Sequence, residues 1–334
     1  MILTFRMSLD AIEAACHYAL TAAGATAANA ASVARSTRLA EQDGIRSHGL
    51  LYVPIYASHL RSGKVDGAAV PTVSQPRPGA VTVDAATGFA HPAIDAGWDA
   101  FMQAVRDNGV AVLTVSNSYN CGVLGHHAER IAMHGFLGLC TTHAPASIAP
   151  PGGRRPVIGT NPFAVAVPDG KGAAAFVIDQ SASAIAKSEI LLRAREGRAI
   201  EPGWAIDSEG RPTTDAKEAL DGAMLPAGGY KGFGAGLMVE LLASCLSGAV
   251  LSKDASAFSG DAGGPPRTGQ CFIAFDPAAF SGHFQSQVEA LMAAINVQEG
   301  ARLPGSRRAE ARRMTQRDGV SVDASLLSRI AAMT

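Results

Sequence analysis

The chain has 334 residues, 47% apolar and 17% charged, which is enough to bury a sizeable core and too apolar for a disordered polymer. A formal charge of −1 leaves no electrostatic footprint for nucleic acid or an anionic membrane as the main partner. The five cysteines (Cys16, Cys121, Cys140, Cys245, Cys271) are odd in number and widely spaced, so they offer neither a zinc ribbon nor a disulfide framework and fit reduced thiols in a cytoplasm. Arg6 and Asp10 arrive before any apolar run of signal-peptide length. Residues 131–153 lack Asp, Glu, Lys and Arg, but their Pro, Gly and His content spoils them as a membrane span.

Taken in order, residues 8–23 read as a helix opened by Ser8 and stopped by Gly24. Residues 25–42 are Ala-rich without Gly or Pro inside the helical run, and residues 50–61 are apolar at helical spacing up to Gly63. The three helices are amphipathic and expected to pack together. Residues 66–79 carry Pro71, Pro76 and Pro78 and read as loop, and residues 80–84 alternate like a strand. Residues 92–107 form a helix with Trp98 and Phe101 on one face, ended by Gly109. Residues 110–115 are a buried strand. A glycine-spaced segment then leads into a helix that ends near Met133, and residues 136–141 form another short strand.

Residues 144–162 are dense in Pro and Gly and read as ordered loop. Residues 163–167 and 174–178 are strands, 182–196 a helix, and 197–214 loop. A Gly-rich stretch, 226–236, precedes a strong helix over 237–246. Residues 254–268 are a polar surface excursion, 270–275 a strand and 284–298 a helix; a basic tail helix follows Pro304 and Gly305. The rhythm is not a clean βαβ repeat. The glycines at 232, 234 and 236 lack both the spacing and the preceding strand of a Rossmann fingerprint. Composition and pattern alone define an α/β enzyme.

Chemistry concentrates in residues 43–56, where a charged turn holds Arg46, Ser47 and His48 between two helices. His48 is expected at or near a helix start with Ser47 as a possible N-cap. An imidazole beside a hydroxyl and an Arg can move a proton near a bound anion; the alternative is a capping Ser with an exposed His. Tyr230, Lys231 and Gly232 open the strongest late helix, where backbone amides and Lys231 favour phosphate. Asp179 ends a strand and can accept from a ribose or amide group, or simply cap that strand. His126 and His127 tempt as metal ligands, but no carboxylate or Cys stands at a recognised spacing, so a helical surface pair and no metal is the expectation.

Residues 43–49, Gly152 and Gly153, 159–162 (Gly-Thr-Asn-Pro), 179–187, 203–213, 228–232 and 302–305 occur in an order that carries a resemblance over nearly the whole chain. The chain resembles the malate/L-lactate dehydrogenase family of NAD(P)-dependent oxidoreductases, close to its Δ1-piperideine-2-carboxylate/Δ1-pyrroline-2-carboxylate reductase branch. The resemblance implies a non-Rossmann, L-sulfolactate dehydrogenase-like α/β fold with a mixed, largely antiparallel sheet flanked by helices. It implies a helical domain from residues 1–75 with 290–334, a cofactor and substrate region over 76–289, and a cytoplasmic homodimer without nucleic-acid or membrane partners. The cofactor is NADP or NAD, with NADPH favoured.

By the same resemblance, His48 is the proton donor or acceptor and Ser47 its relay partner. Many members place a carboxylate-binding Arg four residues after the His; this chain has Tyr52, so Arg46 is a candidate for that task and Tyr52 a pocket hydroxyl. Thr160 maps to a substrate contact. Asn120, Gly122, Ile178, Asp179, Gln180, Tyr230, Lys231, Gly232, Gly305 and Arg307 map to the cofactor site. Glu189 is expected to relay to His48, raising its pKa for donation to an imine nitrogen; the alternative is a surface Glu paired with Arg193. The leading reading is reduction of a cyclic α-imino acid, the second a 2-hydroxy acid dehydrogenase of malate, lactate or sulfolactate type. A third, a silent nucleotide-binding member, is opposed by His48 beside Ser47.

Overall fold

The computed structural model describes residues 3–333. Strand β1 (Thr4–Met7) leads into α1 (Leu9–Ala22), where the Ser8 hydroxyl accepts from the Ala11 amide at 3.1 Å and caps the helix. Thr26 caps α2 (Ala27–Gln42) in the same way, and α3 (Val53–Arg61) follows two short 3-10 turns. Ile12, Leu20, Val33, Val53 and Tyr56 from these helices share one buried core with Val320, Val322, Leu326 and Ile330 from the other end of the chain.

The middle of the chain builds the sheet. Strands β2 (Thr72–Arg77) and β3 (Ala80–Asp84) precede α4 (Ala90–Asn108), then β4 (Val110–Ser118), α5 (Leu124–Met133), β5 (Leu137–Thr142), β6 (Phe163–Pro168) and β7 (Ala174–Gln180). After β7 come α6 (Lys187–Glu196), β8 (Ala205–Ile206), β9 (Pro212–Thr213), α7 (Ala216–Asp221), β10 (Ala223–Met224) and α8 (Tyr230–Glu240). The chain closes with β11 (Thr268–Phe275), α9 (Phe284–Asn296), α10 (Ser306–Asp318), β12 (Val320–Asp323) and α11 (Ala324–Ala331).

Seven strands form one sheet in the order β2-β3-β4-β11-β5-β6-β7. Only β3 and β4 run parallel; every other neighbour is antiparallel, as the resemblance implied. β11 lies at the centre and is buried along most of its length, which fits its apolar run over residues 271–275. Trp98 and Phe101 of α4 and Leu124 and Ile131 of α5 bury with Val81, Leu113 and Phe272 of the sheet in a second core. β1 pairs antiparallel with β12, joining the two ends of the chain, and β10-β8-β9 form a small third sheet.

Several expectations need correction. Residues 66–79 contain an edge strand, β2; its residues are exposed and it holds Pro76, so neither alternation nor composition betrays it. Residues 197–214 hold β8 and β9, two-residue strands too short for a periodic signal. The helix placed over 182–196 starts only at Lys187. The helix placed at 237–246 starts at Tyr230 and ends in a π-helical turn, Leu241–Cys245. The basic tail helix is followed by β12 and α11. Among the described residues no helix is long and apolar enough to cross a membrane.

Candidate active site

The turn that carries His48 is built from beneath. At the end of α2, Glu41, Gln42 and Asp43 are all buried. The chain then makes two successive 3-10 turns, Arg46–His48 and Leu50–Tyr52. The Glu41 carboxylate accepts the Leu50 N–H at 2.7 Å and ties the turns to α2. A Cβ at Gly49 would lie 2.1 Å from that carboxylate oxygen, so only glycine fits there. Burial pushes the Glu41 carboxyl up, against the Leu50 N–H and the charge of Arg46. Ser47 does not cap a helix; its hydroxyl stands 3.1 Å from His48 Nδ1. That corrects the capping expectation and sets the Ser47 hydroxyl against the His48 ring.

Three groups set the electrostatics of His48. Burial lowers its pKa, the negative charge of Asp179 opposes this, and His126 adds to the lowering. The imidazole is therefore held below its ordinary range, the reverse of the expected rise. The acid acting on it is Asp179. Glu189 stands on α6 with its carboxylate 3.0 Å from Arg193, the i+4 pair of the alternative reading, and the expected relay contact with His48 is not made.

Asp179 is held at the end of β7. Its Oδ2 accepts the Gly125 N–H at the start of α5 at 3.0 Å and Arg308 Nη2 at 2.9 Å. A Cβ at Gly125 would fall 2.5 Å from Arg308 and 2.6 Å from Asp179, so the close approach depends on glycine. Next to this pair, Asp43 accepts from Arg312 at 2.8 and 2.9 Å and from His126 at 3.0 Å. Burial alone would raise the Asp43 carboxyl, but the bonds from His126 and Arg312 outweigh it and hold the pKa down. His126 and His127 are thus not a surface pair: His126 serves Asp43 and His127 bonds to the Cys121 carbonyl at 2.9 Å. Among the described residues no cluster of His, Cys, Asp and Glu could hold a metal.

A second group meets the first at β7. The Thr160 carbonyl accepts the Ala182 N–H, and the Ala182 carbonyl accepts the Ala227 N–H, both at 2.8 Å. Asn161, at φ +39°, donates to Gly236 at 3.0 Å and to Glu240 at 2.8 Å, locking α8 onto the Thr160 turn. α8 opens after Gly228 and Gly229 without a side-chain cap, so its first N–H groups remain free for a ligand. A Cβ at Gly232 would collide with the Ala227 carbonyl at 1.9 Å. Tyr230 and Lys231 are exposed at this helix start.

The other candidates fall around the two groups. Ile178 and Gln180 flank Asp179 in the β7 ladder, paired with Val165 and Phe163. Asn120 Oδ1 accepts from Tyr56 at 2.9 Å and from the Gly122 N–H at 3.3 Å. Tyr52 is half-buried against Tyr56, their rings 4.7 Å apart, while Arg46 is exposed. Gly305 lies against Val177 of β7 at φ +82°, and Arg307 is exposed on the rim of a cleft of about 560 Å³ with Asp43, Gly305 and Arg308. The residue that sequence reasoning missed is Arg308. Its signal was present, since Arg308 and Arg312 stand four apart and share one face of α10.

These residues fit a dinucleotide. Asn120 Nδ2 and Arg308 Nη1 are buried donors without a hydrogen-bond partner among the described residues. One uncapped, glycine-lined helix start, that of α8, offers N–H groups to phosphate.

A mostly antiparallel sheet with an imidazole, a fixed carboxylate and a helix start suited to phosphate fits an oxidoreductase of the non-Rossmann, NAD(P)-dependent class. The chain belongs to the malate/L-lactate dehydrogenase family, whose model matches residues 7–331. It is 39% identical over 332 residues to a Δ1-pyrroline-2-carboxylate reductase of Ancylobacter novellus, covering 98% of this chain and 97% of that one. It is 41% identical over 307 residues to a (2R)-3-sulfolactate dehydrogenase (NADP(+)) of Chromohalobacter salexigens, covering 92% of each. The crystal structure of Δ1-piperideine-2-carboxylate reductase from Pseudomonas syringae pv. tomato superposes with a TM-score of 0.93 at 34% identity, covering 99% of this chain and 100% of that one.

Proposed function

We propose that the protein reduces a cyclic α-imino acid, Δ1-pyrroline- or Δ1-piperideine-2-carboxylate, to the L-amino acid at the expense of NADPH. The observation that carries this reading is full-length similarity to reductases of both compounds, joined to an imidazole bonded to Ser47 and acted on by the charge of Asp179. Residues of β7 would hold a nicotinamide dinucleotide, which would supply the hydride. Lys231 and the N–H groups at the start of α8 hold phosphate, Gly122 and Asn120 line the α5 side, and Gly305 with Arg307 and Arg308 closes the rim. Thr160 and Tyr52 contact the substrate, and Arg46 stands at the mouth.

His48 gives its proton to the imine nitrogen, and Ser47 holds the ring through Nδ1 so that Nε2 faces the substrate. Burial makes the imidazolium a ready donor, and Asp179 keeps enough of it charged. Glu189 has no part in this step. NADPH is favoured over NADH by the NADP(+)-dependent relative. A homodimer is supported by the exposed apolar residues Leu237, Met238, Leu241 and Leu246 on α8 and its extension. A cytoplasmic location is supported by five free cysteines. The division into residues 1–75 with 290–334 and residues 76–289 is supported by the two separate cores, although Phe89 and Tyr119 reach across.

A second reading, reduction of a 2-oxo acid such as sulfopyruvate, rests on the sulfolactate dehydrogenase relative. Oxidation of NADPH and NADH against a panel of cyclic imino acids and 2-oxo acids tests both. The imino acids are expected to give the highest kcat/KM, and faster turnover of any 2-oxo acid overturns the first reading.

A further inference from the structure

The helix α8 is fastened at both ends to the turn that carries Thr160. At its start the tie is backbone. The Thr160 carbonyl holds the Ala182 N–H and the Ala182 carbonyl holds the Ala227 N–H, just before the two glycines that open the helix. At its far end the tie is Glu240, which is buried. Between the two, a Cβ at Gly236 would lie 2.7 Å from Ile158 and 2.8 Å from Ala182, so the helix is pressed against the same turn.

Among the described residues no Lys or Arg forms an ion pair with Glu240. Neutral donors hold its carboxylate: the Ser252 N–H at 2.7 Å on Oε1, and the Ser252 hydroxyl at 2.5 Å and Asn161 Nδ2 at 2.8 Å on Oε2. His143, whose Nδ1 lies 3.3 Å from the Ser252 hydroxyl, adds no charge, because burial holds its ring below its ordinary range against the pull of Glu240. A carboxylate buried without a cation costs stability unless its hydrogen bonds are complete. What these bonds secure is Asn161, itself fully buried. Its Oδ1 accepts the Ala144 N–H at 3.3 Å, and its Nδ2 gives one proton to the Gly236 carbonyl at 3.0 Å and the other to Glu240. The Ala144 N–H can only donate and the Gly236 carbonyl can only accept, so the amide has one orientation. Asn161 is the residue next to Thr160, and its left-handed backbone, at φ +39°, leaves the turn little freedom. The Thr160 backbone therefore moves only with α8.

We propose that Glu240 is a positioning residue: through Asn161 it ties the substrate turn at Thr160 to the helix whose start holds the cofactor phosphate, so that each ligand raises the affinity for the other. The inference rests on the reading that Thr160 contacts the substrate and that the start of α8 binds the dinucleotide. With its oxygens filled by Ser252 and Asn161, Glu240 touches neither ligand. A dinucleotide on the free N–H groups at the start of α8 steadies the helix, and the clamp at its end passes that order to Thr160. A substrate on Thr160 steadies α8 by the same path, because coupling between two sites is reciprocal. Glu240→Gln keeps the volume and breaks the clamp. One oxygen becomes an NH₂ that faces a donor, the Ser252 N–H on one side or Asn161 Nδ2 on the other.

The test uses the full-length enzyme, NADPH and L-proline, the product of the proposed reduction, which cannot react with the reduced cofactor. Coupling is the ratio of NADPH dissociation constants without and with saturating L-proline, read by fluorescence titration. In the unaltered enzyme the ratio is expected to be about fivefold or more, and in Glu240→Gln to fall within about twofold of unity, whatever the separate affinities do. A loss of stability alone would not move that ratio. Ser252→Ala leaves the bond to Asn161 in place and is expected to keep most of the coupling. Without any variant, NADPH alone is expected to slow amide hydrogen exchange in peptides that contain Ala144 and Ser252, whose N–H groups bond to the clamp. An undiminished ratio in Glu240→Gln, a ratio of one in the unaltered enzyme with both L-proline and L-lactate, or no slowing at Ala144 and Ser252 overturns the proposal. Coupling that appears with L-lactate and not with L-proline, and is lost in Glu240→Gln, supports the clamp and instead overturns the cyclic imino acid reading.

Discussion

The turn that carries His48 and the helix that carries Glu189 differ in what lies beneath them. The turn rests on two buried carboxylates, with Glu41 bonded to Leu50 and Asp43 bonded to Arg312 and His126. α6 buries only Ile190, and its Glu189 finds Arg193 one turn away. A side chain on the first element is positioned by tertiary contacts that hold the backbone. A side chain on the second is free to take its nearest local partner. The difference teaches that the carboxylate whose charge acts on His48, Asp179, is delivered by the sheet, whereas Glu189 takes a partner on its own helix.

That contrast can be broken at its strong end or sharpened at its weak one. His48→Ala is expected to have the largest effect, a loss of about 10²–10⁴-fold in kcat with dinucleotide affinity retained, measured by steady-state kinetics and by quenching of protein fluorescence. Near-normal turnover would remove His48 from the chemistry. Lys231→Ala comes next. It is expected to weaken dinucleotide binding on the order of tenfold and to spare the rate at saturating cofactor, because a cation beside free helix N–H groups binds phosphate. An unchanged titration curve would place Lys231 outside the site.

The strands β3 to β7 and the helices of the N-terminal end were legible because each buries one face and so imposes a period on the sequence. The position of His48 in a turn between two helices was legible from local context. What remained hidden depended on contacts distant in sequence. Asp179 and Arg308 are 129 residues apart, and nothing near either names the other. β2 hides because an exposed edge strand has no buried face to alternate. The helix placed from Ala182 was delayed to Lys187 because Ala182 and Ala184 spend their N–H groups on Thr160 and Leu225. The fall in the His48 pKa was also out of reach, since burial is a property of the fold and not of the Ser-His-Gly motif.

The central claim is that Asp179, and not Glu189, sustains the charged form of His48. The direct measurement is the pH dependence of kcat/KM for imine reduction in the unaltered enzyme, Asp179→Asn and Glu189→Gln. Activity should decline as pH rises through the His48 pKa, because the donor is the protonated ring. Asp179 raises that pKa, so Asp179→Asn should move the declining limb to lower pH. Glu189→Gln should leave the limb in place and change the rate by less than about twofold, as expected for a half-buried pair closed within its own helix. A limb that moves in Glu189→Gln and stays fixed in Asp179→Asn would contradict the account.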